Sequence, residues 1–464
     1  MLQACAVRDR AAAPGAPGRV ASARHATLDS RSVTGSPNRS LLRHPDFLKL
    51  WTAETISVFG SAITQLALPL IAATVLEVGA FEFGLLTTIE LLPFILLSLP
   101  AGVWVDRLRR RPILIAADLG RAVAIATIPV AFFFDALTIW QLYIVGFVNG
   151  CLTVFFDVAY QSYLPSVVER DQLVEGNSKL EITRSAAQIL GPGLAGILIG
   201  VLRAPFAMVV DSISYLVSGV FVFWIRRGEP PLVAHDEATN ATKPSMRQEI
   251  ATGLRYVLGH RWLRSIAATT GTSNFFGNVV QAILILYLVR DRGLGAEAIG
   301  FAFSVGSMGV LLGALTTSRI TARVGVGRML VAMAFGFSLS GLPVAFAPDA
   351  LIWWAVAVSG LVGGFCSVGW NINQVSLRQA ITPPRMQGRM NATMRFIVWG
   401  TIPIGAILGG ALGTTIGLHA TIVIGAVGGL FAFLPVALSS VRRIVTMPEP
   451  VADESVETPM AASA

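Results

Sequence analysis

An all-α membrane protein, with twelve transmembrane helices in two six-helix bundles, is the fold class this sequence predicts, and three observations predict it. Apolar stretches of about 20 residues recur along the 464-residue chain, the length a helix rising about 1.5 Å per residue needs to cross a hydrocarbon layer of about 30 Å. Hydrophobic residues make up 54% of the chain and charged residues 13%, with a mean hydropathy of +0.67, whereas a soluble domain carries about 25% charge. The loops between the stretches are alternately rich and poor in arginine. Backbone polar groups cannot go unpaired in lipid, so each stretch is expected to be a helix.

The spans fall at approximately 51–75, 83–105, 113–134, 138–160, 180–202, 206–225, 265–289, 297–318, 328–347, 350–374, 390–411 and 418–440. Arg107, Arg109, Arg110 and Arg111 follow span 2, Arg170 and Lys179 precede span 5, and Arg226, Arg247, Arg255, Arg261 and Arg264 surround the central loop. Arg319, Arg323, Arg328, Arg378, Arg385, Arg389, Arg442 and Arg443 continue the pattern, while the opposite loops hold Arg203, Arg290 and Arg292. The positive-inside rule then places both termini and the central loop in the cytoplasm of a multi-pass protein of the cytoplasmic membrane. The net charge of +8 accordingly reports topology, not a nucleic-acid partner. The expected domains are a disordered tail over 1–44, a bundle over 45–226, a central loop over 227–262, a bundle over 263–441 and a second tail over 442–464.

In chain order, residues 1–44 have no apolar periodicity and no hydrophobic core of a secretory signal. Span 1 holds Glu54 toward the cytoplasm, then Gly60-Ser61 and Gln65; span 2 holds Glu90, three residues before Pro93 and without a local cation. Asp118 and Arg121 in span 3 share a helix face and can pair. Asp157 sits near the inner end of span 4. Span 5 contains Arg184 followed eight residues later by Pro192, and span 11 contains Arg395 followed eight later by Pro403, a match that suggests related halves. Asp211 in span 6 is expected to be structural. Between spans 6 and 7, Ile250, Leu254 and Val257 recur at helical spacing among basic residues, which reads as an amphipathic helix on the cytoplasmic surface. Asn274, Asn278 and Gln281 form one face of span 7, and Trp370, Asn371 and Asn373 lie in span 10. With Gln65 these are the expected substrate-cavity residues, although a hydrogen-bonded helix seam accounts for the span 7 face equally well. Cys5, Cys151 and Cys366 form no disulfide or metal framework. No metal-ligand or catalytic constellation is present, and none is expected.

The loop after span 2 reads Gly102-Val-Trp-Val-Asp106-Arg107-Leu-Arg109-Arg110-Arg111. It resembles the G-x-x-x-D-R-x-G-R-R signature of the major facilitator superfamily, with Arg109 in place of the second glycine. Gly102 permits close helix approach, and Asp106 faces the positive N-terminus of span 11 on the same membrane surface. The resemblance implies that Asp106 docks there while Arg107, Arg110 and Arg111 pair with an acid on span 4, for which Asp157 is the candidate, and so lock the outward-open state. In span 5, Gly191-Pro192-Gly193-Leu-Ala-Gly196 is similar to the G-P-x-x-G-G element of antiporters, with Ala195 for one glycine. Gly191, Pro192 and Gly196 are thereby implied in helix bending and close packing. Asp118-Leu-Gly-Arg121, Tyr163-Leu-Pro165 with Gly176-Asn177, Asp211-Ser212 and Gln387-Gly388-Arg389 together look like the third drug:proton antiporter group, which includes enterobactin and macrolide exporters. That group often has Gly-Asp where this chain reads Gly60-Ser61.

A charge at mid-bilayer costs a few kcal/mol, so each needs a partner, a wet cavity or a function. Glu90 is the first choice for proton coupling, since a carboxyl held out of water can exchange protons near neutrality. Glu54 is the second, with an interfacial, solvated position expected for it; the Asp118–Arg121 pair is expected to be mainly structural. There is no G-x-x-x-x-G-K-[ST] phosphate loop, so the energy source expected is a proton gradient and no cofactor is needed. The function expected is proton-coupled efflux of an amphiphilic small molecule by a monomer using alternating access. The alternatives are an importer or facilitator on the same fold and, more distantly, a membrane-embedded lipid-linked transferase, which the short outer loops disfavour.

Overall fold

Among the described residues, apolar runs bounded by glycine and arginine fold into fifteen α-helices: α1 (Pro45–Thr74), α2 (Ala80–Arg107), α3 (Arg110–Phe133), α4 (Ile139–Val167), α5 (Leu173–Leu202), α6 (Ala204–Phe223), α7 (Met246–Gly259), α8 (Arg261–Arg290), α9 (Ala296–Val324), α10 (Val326–Leu339), α11 (Leu342–Phe346), α12 (Ile352–Ala380), α13 (Pro384–Ile416), α14 (Leu418–Gly429) and α15 (Leu434–Ala437). The structure, a computed structural model, describes Leu41 and residues 44–169, 172–226 and 246–448, with the side chains at 98–99, 102–103, 106–107, 174, 246–250, 384–385, 388 and 392 outside that set. The expected tails and most of the central loop lie outside the described residues. Among the described residues there is no strand, and 12 helical spans are long and apolar enough to cross a bilayer.

Two spans expected to be continuous are broken. Span 9 divides into α10 and α11, span 12 into α14 and α15, and the second piece of each carries proline in its first turn, Pro343 and Pro435. Proline has no N–H to continue the ladder and its ring crowds the carbonyl four residues back. Helix α1 holds Pro69 and stays intact.

Helices α1–α6 form one bundle through α1–α6, α3–α6, α2–α4, α3–α4 and α1–α5 contacts; α8–α15 form the other through α8–α13, α9–α12, α10–α12 and α8–α14 contacts. The pairings correspond helix for helix, and so do individual residues. His44 and His260 each cap the first helix of a bundle; Gln65 and Gln281, Ala80 and Ala296, and Gly84 and Gly300 follow, all at a constant offset of 216 residues (44 to 260, 84 to 300). Between bundles the principal contacts are α5 with α9 and α2 with α13, again a matched pair.

The amphipathic helix expected on the membrane surface is α7, but it docks on the second bundle. Val257 is fully buried, the Tyr256 hydroxyl donates to the Ile381 carbonyl at 3.2 Å, and a Cβ on Gly253 would stand 3.1 Å from the Arg389 carbonyl. The joint to α8 is capped by His260, whose Nδ1 accepts from the Trp262 N–H at 3.3 Å. Burial, with Arg261 alongside, holds this imidazole below the usual histidine range. Only the neutral ring can accept, so the cap is complete above about pH 6.5, the ordinary histidine value, and is lost as pH falls through the lower folded value. His260→Asn keeps a capping acceptor and is expected to remove that part of the acid destabilisation, read as thermal unfolding of purified protein between about pH 5 and 8. Identical acid slopes in the two proteins would refute the cap's titration.

Candidate functional site

The first bundle is held together by a buried polar seam where α1, α3 and α6 meet. Glu54, Ser57, Ser61 and Thr64 recur at three- and four-residue spacing along α1, as do Asp211, Ser214, Tyr215 and Ser218 along α6, so each set makes one stripe. Asp118 and Arg121, both buried, pair at 2.6 Å, and the Ser218 hydroxyl donates to the second Asp118 oxygen at 2.8 Å. The Arg121 guanidinium lies between the rings of Phe156 and Tyr215, 4.3 and 4.2 Å from their centroids. Tyr215 and Ser61 share a hydrogen bond of 2.8 Å. Asp211 accepts from the hydroxyls of Thr64 and of Ser214, and Gly60 leaves the room its carboxylate needs.

Glu54 is 2% exposed and accepts both Nε and Nη2 of Arg184, at 3.1 and 3.0 Å. This corrects the interfacial, solvated position expected for it. Its cation comes from α5, 130 residues away. Asp157 lies within electrostatic reach of both Arg121 and Arg184. The seam therefore holds four carboxylates (Glu54, Asp118, Asp157, Asp211) against two guanidiniums. Glu90 is elsewhere: it packs on the glycine surface of α4 at Gly146 and Gly150 and forms no hydrogen bond or ion pair among the described residues.

Among the cavities of the described residues, three bear on the expected site. One of about 970 Å³ opens at the end that carries the chain termini and is lined by Tyr160, Glu181 and Arg184. One of about 580 Å³ lies between the bundles, with Gln65, Gln188, Pro192 and Gln281 on its wall. A third, about 700 Å³, lies within the second bundle and includes Asn274, Trp370 and Asn371. Five of the seven expected cavity residues thus line open space. Asn278 and Asn373 line none of these cavities; their amides donate to Asn274 and Gly369 carbonyls of their own helices, both at 2.8 Å.

At the opposite end the bundles touch backbone to backbone. A Cβ on Gly84 would stand 2.8 Å from the Ala406 carbonyl and 2.8 Å from Gly410 Cα; one on Gly196 would stand 2.7 Å from the Ala296 carbonyl and 3.2 Å from Gly300 Cα. Arg290 adds a bond to the Ala73 carbonyl at 3.2 Å. Of the antiporter-like element, Gly191 lies where a Cβ would stand 2.7 Å from that of Ala62, Pro192 faces the central cavity and Gly196 makes this crossing. The side chains of Gly102, Asp106 and Arg107 lie outside the described residues. Arg110 begins α3 at the end where α1 also begins, away from these crossings, and there Arg111 grips the α6 C-terminus instead of Asp157, donating to the Val222 carbonyl at 3.3 Å and to that of Phe223. A cation there complements the helix dipole. The glycine crossings and the Asp211 cluster were missed from sequence, although the 216-residue repeat marked Gly84 and Gly300.

The Major Facilitator Superfamily model matches residues 50–371 and 267–462. The multidrug efflux pump Tap of Mycolicibacterium fortuitum is 27% identical over 389 residues, spanning 82% of this chain and 91% of that one. Macrolide efflux protein A of Streptococcus pyogenes is 23% identical over 380 residues, spanning 80% and 90%. Among solved structures, a bacterial homologue of the iron transporter ferroportin in an inward-facing state aligns with a TM-score of 0.66 at 17% identity, covering 86% of this chain and 99% of that one. A bacterial homologue of the human lysosomal transporter Spinster, inward-facing and occupied, gives 0.63 at 15%, covering 88% and 98%.

Proposed function

This chain belongs to the Major Facilitator Superfamily, and from that premise we propose that it is a proton-coupled exporter of amphiphilic small molecules that works as a monomer by alternating access. Its relatives are named as efflux pumps, and transport by rocking of two repeated bundles about a midplane site is what such an architecture performs. With the arginine-rich loops in the cytoplasm, the cavities are loaded from the cytoplasm while the glycine crossings seal the outside. The observation that carries proton coupling is the excess of buried carboxylates over guanidiniums in the first bundle. Asp118 and Glu54 are answered by Arg121 and Arg184; Asp211 is held by hydroxyls alone. We therefore place proton exchange on Asp211, with the Glu54–Arg184 pair as its link to the cytoplasmic opening that Arg184 lines. Glu90, first from sequence, ranks behind it because it stands apart from this seam, packed on α4 at Gly146 and Gly150.

Everted membrane vesicles with a proton-sensitive dye and a panel of antibiotics and siderophores test the reading. The expected result is accumulation that collapses with the proton gradient. Asp211→Asn, which keeps acceptor geometry for one hydroxyl, is expected to lower gradient-driven accumulation by about tenfold or more, an effect of about 1.4 kcal/mol upward, while substrate counterflow persists. Glu90→Gln is expected to retain coupled accumulation. Uptake indifferent to the gradient refutes the antiport reading; full coupling in Asp211→Asn refutes the assignment of the carrier.

A further inference from the structure

The two bundles repeat in backbone but not in charge. Arg184 and Arg395 occupy matching places, each eight residues before a proline, and Glu54 answers Arg184. At the 216-residue offset the counterpart of Glu54 is Thr270 (54 to 270), so the acid is missing from the second bundle. Residues 261–448 contain only Asp291, Glu297 and Asp349 as acids, all at the end away from the termini. Arg395 lies over the Trp399 ring, 4.6 Å from its centroid, and makes no hydrogen bond or ion pair among the described residues. Arg378 lines the same cavity of about 700 Å³; its Nε, like Gln374 Oε1 one turn away, is shut off from solvent without a hydrogen-bond partner. A buried donor left unpaired is costly, and at Arg378 Nε that cost is removed when a ligand supplies the missing acceptor.

We propose that this cavity is an anion subsite for the transported molecule, taking a carboxylate, sulfonate or phosphate carried on an aromatic or apolar body. Arg395 and Arg378 hold the anion, since guanidinium forks match such groups with charge-assisted hydrogen bonds. Trp370 and Trp399 supply flat apolar walls for the body, and the Trp370 indole is fixed by its bond to Thr270 Oγ1 at 3.2 Å. The assignment rests on the efflux reading for its physiological substrate but not for its measurement. It narrows the amphiphile of that reading to one bearing negative charge.

Full-length protein in phosphatidylcholine nanodiscs, titrated with naphthaleneacetate and with the neutral naphthaleneacetamide, varies charge at constant ring. The acid is expected to bind about tenfold more tightly than the amide, and Arg395→Gln to remove that preference while changing amide affinity by less than about twofold. Arg395→Lys is expected to restore part of it, and Arg378→Gln to lose a smaller part. Equal affinity of the wild type for both probes, or equal loss of both in Arg395→Gln, overturns the subsite. Competition by phosphatidylglycerol discs that disappears in Arg395→Gln supports the same anion chemistry with a lipid headgroup as the source. Binding of the acid without its accumulation in everted vesicles sinks the efflux reading and leaves the subsite; accumulation of amide and acid alike does the reverse.

Discussion

Arg121→Met is expected to destabilise the protein by about 3–5 kcal/mol, the usual cost of stranding one member of a buried ion pair. Asp118 is fully buried, and with Arg121 gone the Ser218 hydroxyl would be its remaining partner. The loss is compounded because the guanidinium also fills the space between Phe156 and Tyr215, where desolvated cation–π contacts contribute up to about 2 kcal/mol. The double variant Asp118→Asn with Arg121→Met removes both charges and is expected to recover most of the difference. Thermal unfolding of the purified proteins decides it: a single variant that melts like the wild type, or a double variant as unstable as the single, contradicts the pairing. Arg121→Lys separates charge from shape, since lysine keeps the former and loses the planar stack.

Valine at Gly84 or at Gly300 is expected to leave the protein folded and cut transport by more than about tenfold, or about 1.4 kcal/mol. The neighbours of these glycines across the bundle interface include backbone atoms: Ala406 and Gly410 for Gly84, and Gly196 for Gly300. A side chain there cannot be accommodated by a rotamer change, so the bundles must part at that end. A cysteine at Gln65, on the wall of the central cavity, is then expected to become reactive to an impermeant thiol reagent from the side away from the termini. Gly259→Ala, at a position with nothing within 4 Å, serves as the control. Normal transport with unchanged labelling would show that these crossings do not close the outer end.

The Arg–Pro correspondence between spans 5 and 11 was readable from the chain, but the 216-residue register of His44, Gln65, Ala80 and Gly84 with their mates was not seen until the helices were paired. The misplacement of Glu54 has a simple cause. Depth was counted along one apolar run, whereas α1 begins at Pro45 and continues beyond it, and Arg184 arrives from another helix. Asp211 is expected from the sequence to be structural because it lies near the outer end of span 6, and nothing near it in the chain announces Thr64 as its partner, 147 residues away. The resemblance implies Asp157 as the partner of Arg111; in the structure Arg111 donates to the Val222 and Phe223 carbonyls at the end of α6.

Hydropathy, helical rise, proline breaks and loop charge are properties of short segments, so the sequence by itself determined a twelve-span membrane protein, its two halves and its family. Which buried acid meets which arginine depends on how helix faces turn toward one another, and side chains 2.8 and 3.1 Å apart come from positions 100 and 130 residues apart. Only the tertiary structure could therefore decide that the first bundle keeps its carboxylates largely answered while the second leaves Arg378 and Arg395 facing an open cavity.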